Sequence, residues 1–279
     1  MRIDALTKVV PRWVGIAVLT AGLTGAILLV AQLTRNWTIV PAAAFIGAMS
    51  GPLVFLVWLD DRARIGKSVA PDELFITWLV GGGVAVIFVG IFESHYLYRH
   101  QGLGGYLWVA AAEGTGKILV PVGACTLVPK YRSTAPALAL ALVSAAGFAV
   151  MESLSYAIAA YGESVQELRN ILIERSVITP FAHLPWTAIA VIVAARAWQE
   201  RQRITLAPKA LWGFALAIVL HACWNASIVE EGWWHLVIIP VAITTFAVMY
   251  HLVSGVYYDG PYMIPKDYAA PHHHVRPDR

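Results

Sequence analysis

The chain has 279 residues, of which 58% are hydrophobic and only 13% charged, with a formal net charge of +3 at pH 7. Soluble domains carry roughly 25% charged residues, so this composition, with a mean hydropathy of +0.65, excludes a soluble fold. The small positive charge gives no ground for nucleic-acid binding. The pattern predicts an all-α, polytopic membrane helix bundle.

Eight apolar runs follow one another: Trp13–Leu33, Thr38–Leu59, Leu74–Phe92, Tyr106–Val128, Ala135–Ala160, Ile178–Ala197, Ala210–Ile228 and Trp233–Val253. Each is long enough to cross a hydrocarbon core of about 30 Å. The first follows a basic leader of Arg2, Lys8 and Arg12. It is too long for a signal-peptide core, and no small-x-small cleavage site precedes Arg35 and Asn36, so it reads as an anchor. Eight spans place both ends on one side. That side collects 15 of the 20 Lys and Arg residues, against Arg35, Arg99, Arg169 and Arg175 on the other and Lys117 within a span. Cytoplasmic loops are enriched in Lys and Arg, so both termini are expected in the cytoplasm and the chain in the cell membrane. Residues 1–258 form one integral-membrane domain in this reading, and 259–279 a polar cytoplasmic tail.

Four acidic or imidazole side chains lie deep within these runs: Glu113, Glu152, His183 and His221 on spans four to seven. A charged group in hydrocarbon costs about 2.5–3.5 kcal/mol on insertion scales and marks function. Counted along each span, all four fall in the outer half of the membrane, at a common level. Each has a polar companion one turn on, at the i,i+4 spacing that shares a helix face: Lys117, Tyr156, Thr187 and Asn225. Gly114 and Gly116 would let a neighbouring helix approach Glu113 closely. Pro185 is expected to kink the sixth span beside His183 and admit water.

These residues form four short segments: Glu113-Gly114-Thr115-Gly116-Lys117, Phe148-Ala149-Val150-Met151-Glu152-Ser153, His183-Leu184-Pro185-Trp186-Thr187 and His221-Ala222-Cys223-Trp224-Asn225. Spans four to seven, roughly 105–230, thereby resemble the PrsW family of intramembrane proteases, itself distantly similar to the prenyl-protein and bacteriocin-processing membrane proteases. The family signature runs Glu-Glu-x-x-Lys, Phe-x-x-x-Glu-Asn, His-x-x-x-Thr and His-x-x-Trp-Asn in that order. Gly114 stands where the family has a second Glu, and Ser153 where it has Asn.

The resemblance implies peptide-bond hydrolysis within the lipid bilayer, on a membrane-anchored protein such as an anti-sigma factor. A carboxylate in an apolar pocket is a usable general base toward water, which assigns that role to Glu113 with Lys117 tuning it. Glu152 would orient the water or protonate the leaving amine, and His183, His221 and Asn225 would stabilise the oxyanion. A second arrangement uses two histidines and one glutamate, from among His183, His221, Glu152 and Glu113, as ligands of a divalent metal such as zinc. The sequence leaves metal-dependent and glutamate-only catalysis both open, with Lys117 and the paired acids favouring the latter. Competing uses of the same cluster are a proton-coupled transporter, a non-catalytic scaffold, or a haem site with axial His183 and His221.

Other residues have simpler explanations. His272–His274 lie in the polar tail, His95 and His100 in an outer loop with Tyr96 and Tyr98, and His235 and His251 near helix ends. Cys125 and Cys223 point to opposite faces of the membrane and are not expected to pair. Trp233, Trp234, Tyr257 and Tyr258 belong to aromatic belts, and Gly81–Gly83 marks close helix packing.

Overall fold

The computed structural model describes residues 10–96, 102–178, 181–201, 208–229 and 236–256; His100, His235, His272–His274, Trp233, Trp234, Tyr257, Tyr258 and the tail 259–279 lie outside the described residues. Helices account for nearly all of what is described. They are α1 (Arg12–Thr34), α2 (Val40–Ala63), α3 (71–96), α4 (Leu103–Leu127), α5 (Thr134–Glu163), α6 (Val165–Ile178), α7 (His183–Arg201), α8 (Pro208–Val229) and α9 (Ile238–Ser254). A π-helical stretch, Thr77–Gly81, interrupts α3 between Pro71–Ile76 and Gly82–Tyr96.

The described part of each of the eight apolar runs is largely helical, but the described helices long and apolar enough to cross a membrane are six. These are Arg12–Thr34, Trp37–Ala63, Pro71–Glu93, Thr134–Glu163, Val165–Gln199 and Pro208–Val229, with Ile238–Ser254 a shorter apolar helix. The helix α4 is not in that set. It carries Glu113, Lys117 and five glycines among its 25 residues, which dilute its apolar content.

The centre of the bundle is α5, which is apolar on every side and built largely from Ala and Leu, as a helix enclosed by others must be. Leu138, Leu140 and Leu142 are fully buried and pack with Leu184, Ile189 and Ile192 of α7. Large side chains facing outward are apolar too, among them Leu19, Ile87, Ile91, Leu127, Trp212 and Ile239. An exterior of that kind suits lipid rather than water.

The α3–α5 crossing is set by glycine, as the sequence suggests. A Cβ on Gly82 would lie 2.6 Å from the Gly147 carbonyl carbon, and one on Gly147 would run into the Trp78 carbonyl. Backbone meets backbone here, so no side chain can move aside. Gly147→Val is expected to push α3 off α5 and lower stability by about 1–3 kcal/mol, the usual cost of overpacking. Thermal unfolding in detergent measures it; an unchanged midpoint would show that the crossing is not close.

Two expectations are corrected. Pro185 does not kink a span, because α7 begins at His183 and a proline in the first turn removes an N–H that has no intrahelical partner anyway. His183 therefore stands at a helix start rather than a turn and a half inside one. Residues 165–178, taken as a connection, form the additional helix α6, whose Leu168 and Leu172 are buried one turn apart. It is clamped to α2, where Leu172 lies against Gly47 and the Ser176 hydroxyl donates to the Gly47 carbonyl at 3.2 Å.

Candidate functional site

Four helices bring the predicted polar residues together. On α4, Glu113 and Lys117 are one turn apart and both buried, at 5% and 1% exposure. The Lys117 ammonium donates to Glu113 Oε2 at 2.8 Å and lies 2.9 Å from His183 Nδ1 at the start of α7. An ammonium only donates, so Nδ1 accepts and the imidazole proton is assigned to Nε2. His183 Nε2 faces Glu152 Oε2 of α5 at 3.0 Å. From α8, His221 Nε2 approaches Glu113 Oε2 to 3.7 Å.

The fourth charge comes from an element the sequence did not expose. Arg175 on α6 pairs with Glu152 Oε2, and its Nε donates to Ser153 Oγ at 2.9 Å. Two carboxylates thus face two cations, Glu113 with Lys117 and Glu152 with Arg175, and His183 bridges the pairs. Charge balance of this kind allows ionised groups to persist in an apolar interior. Ser153, standing where the family signature has Asn, receives the Arg175 hydrogen bond. The one sequence signal for Arg175 was the Leu168–Leu172 spacing that makes 165–178 an amphipathic helix.

Aromatic rings frame the cluster. Trp186 stacks on His221 with centroids 4.1 Å apart and planes 18° apart, and its Nε1 donates to Thr245 Oγ1 of α9 at 3.3 Å. Phe148 presents its face to the Lys117 ammonium at 4.7 Å and meets the His183 ring edge-on at 5.4 Å. A ring face attracts a cation held over it, which makes Phe148 a second partner for Lys117.

The companions of the other three residues behave differently from Lys117. The Thr187 hydroxyl donates to the His183 carbonyl of its own helix at 2.8 Å. Tyr156 is exposed, with Arg175 over its ring at 4.6 Å. Asn225 is half-buried on α8, outside the ion-pair network. A further carboxylate, Glu93 of α3, is half-buried and feels the charges of Glu113, Glu152 and Lys117. It stands just past the end of the apolar run Leu74–Phe92. Both cysteines are free.

Among the described residues, Glu113, His183 and His221 also offer donor atoms that all lie within 4.8 Å of one another, each buried. Glu113 Oε2 is 3.3 Å from His183 Nδ1 and 3.7 Å from His221 Nε2. A tetrahedral zinc site with bonds of about 2.0–2.1 Å has edges of about 3.4 Å. Two imidazoles and one carboxylate are therefore present at a spacing that fits a divalent ion with an open position.

A family model described as PrsW family intramembrane metalloprotease matches residues 71–253, a stretch that contains α3 through most of α9 and every residue of this cluster. The chain belongs to this family. No curated protein and no solved structure matches it. PrsW membership supports an intramembrane protease acting on a membrane protein and does not favour the transporter or scaffold uses of the same residues.

Removing Arg175 tests how Glu152 is held. Arg175→Leu is expected to release Glu152 from α6 and destabilise the fold by about 1–3 kcal/mol, the cost of leaving a largely buried acceptor without its donor. Glu152→Gln in the same background should recover most of that loss. The readout is thermal unfolding of the two variants beside the parent; additive losses would mean the pair is not coupled.

Proposed function

We propose that this chain is a multi-pass intramembrane endopeptidase of the cell membrane, with cytoplasmic termini, that cuts a membrane-anchored protein of the anti-sigma-regulator type. Its site is the cluster of Glu113, Lys117, Glu152, His183 and His221, with Asn225 one turn beyond His221. The observation that carries the proposal is the convergence of ionisable side chains from four helices of a PrsW-family chain on one buried point.

Glu113 is the general base. It takes a proton from water as the water oxygen bonds to the scissile carbonyl carbon, and the carbonyl π pair moves onto its oxygen. The Lys117 ammonium and His221, with Asn225 as a further donor, meet that negative charge in a site that excludes bulk solvent. As the C–N bond breaks, the protonated Glu113 returns its proton to the leaving amine. Glu152, pinned by Arg175, holds the His183 Nε2 proton and so keeps Nδ1 turned toward Lys117 and Glu113. This assigns Glu152 an orienting role rather than that of acid to the leaving group.

Glu113, His183 and His221 would hold a divalent ion such as zinc. When bound, the ion supplies Lewis-acid polarisation of the scissile carbonyl. Lys117 engages two of the three donors, so its ammonium and an ion are alternative occupants of the same lone pairs.

Co-expression with single-pass membrane reporters tests the proposal: wild type cuts, and Glu113→Gln, His183→Ala and His221→Ala do not. Cutting that survives all three changes overturns the site, and the absence of cutting by wild type across the reporters overturns the activity. Metal analysis of the purified protein, with cutting measured before and after chelation, then assigns the metal-dependent or glutamate-only route.

A further inference from the structure

Beside the polar cluster lies a cavity of about 420 Å³ between α4, α5, α7 and α8. Ile118, Val122, Ala190, Ala194, Leu211 and Phe214 are among the residues of its wall, and no charged residue lines it. Leu211 is half exposed, so the cavity opens to the exterior there. Three helices place it on the same side of the site. The named wall residues of α4 follow Glu113, those of α7 follow His183, and those of α8 precede His221, by 5–11 residues, or roughly 8–16 Å along the helix axes.

The cavity adjoins the site. A narrow gap of about 10 Å³ is lined by Gly114, Lys117 and His221 and shares Ile118, Ala190 and Phe214 with the larger space. Phe214 stands between them. A Cβ at position 114 would lie 3.4 Å from Phe214 Cε2, so anything longer than alanine there must displace the ring. Where the family signature has a second Glu, this chain has Gly114, which adds no charge to the gap beside Phe214.

We propose that the cavity is the subsite for large apolar side chains of the substrate's membrane-spanning segment. It rests on the protease reading above. A substrate strand drawn past Glu113 advances about 3.3 Å per residue, so the side chains that reach the cavity lie roughly two to five residues from the scissile bond, on the membrane-buried side. A volume of 420 Å³ accepts more than one Leu or Phe side chain, and pockets for small ligands are of this size. The occupant is the substrate segment because the wall is continuous with the site through Phe214.

The test uses the full chain in detergent with a Leu-rich single-pass peptide carrying photo-leucine at successive positions, cross-linked to the Glu113→Gln protein. The expected labels fall on Ala190, Ala194 or Leu211 from a short window of peptide positions. In the active protein, Ala194→Phe is expected to raise KM for the same peptide at least roughly tenfold, the discrimination a filled apolar pocket gives, with kcat little changed. Leu211→Trp at the open rim serves if Ala194→Phe fails to fold. Labels elsewhere, unchanged KM in the filled variant, or a photoreactive phosphatidylcholine that labels the cavity and is not displaced by peptide would each overturn the subsite. Labels in the cavity without cutting by wild type would keep the subsite and remove the protease reading. Cutting without such labels would do the reverse.

Discussion

Glu113→Gln is expected to lower reporter cleavage by at least about 10²-fold while leaving substrate binding intact, since general acid–base catalysis contributes typically 10²–10⁴-fold. The amide keeps the shape of the side chain and an acceptor oxygen toward Lys117, but it cannot take a proton from water. Glu113 Oε2 is the atom on which Lys117, His183 and His221 converge, at 2.8, 3.3 and 3.7 Å. Among the described residues no other carboxylate is so placed: Glu152 reaches the cluster through His183 and is held on its other side by Arg175. Glu152→Gln is accordingly expected to cost less than Glu113→Gln. Single-turnover cleavage of a purified reporter separates the two, and equal losses, or a larger loss at Glu152, would reverse the assignment of the base.

Lys117→Met carries the largest expected effect on stability. Lys117 is 1% exposed and shares a buried ion pair with Glu113, so removing it strands a carboxylate in the core. Breaking one partner of a buried pair typically costs about 3–5 kcal/mol, whereas replacing both by apolar or neutral groups is often nearly neutral. The double variant Glu113→Gln with Lys117→Met should therefore unfold at a temperature closer to wild type than Lys117→Met alone. Double-mutant-cycle analysis of thermal unfolding in detergent gives the coupling. A Lys117→Met protein as stable as wild type would mean that the ion pair does not form in the folded chain. Relief of the vacated donors by added zinc would be a further sign that ammonium and ion share one place.

The four motif segments were legible because their signal is local. An ionisable residue inside an apolar run, with a companion four residues on, can be read without knowing what the opposite helix does. The Glu113–Lys117 pair is the case where that reading carried through to a contact. The same spacing paired Glu152 with Tyr156, His183 with Thr187 and His221 with Asn225, and of these companions Tyr156 meets the network only from outside, with Arg175 over its ring. Thr187 satisfies its own helix, and Tyr156 faces outward. An i,i+4 spacing places two side chains on one face without saying which face turns inward.

Sequence by itself determined the membrane class, the all-helical character, the four polar segments on α4, α5, α7 and α8, and the family. Those properties depend on hydrophobicity, period and residue order, all of which are one-dimensional. Tertiary structure alone decided that α7 starts at His183, that α6 carries Arg175 to Glu152, that Glu93 stands near the cluster, and that Phe214 separates an apolar cavity from the site. Each of these depends on how helices cross and rotate against one another. Such crossings are set by close approaches like Gly82 on Gly147, between residues far apart in the chain, and no local pattern records them.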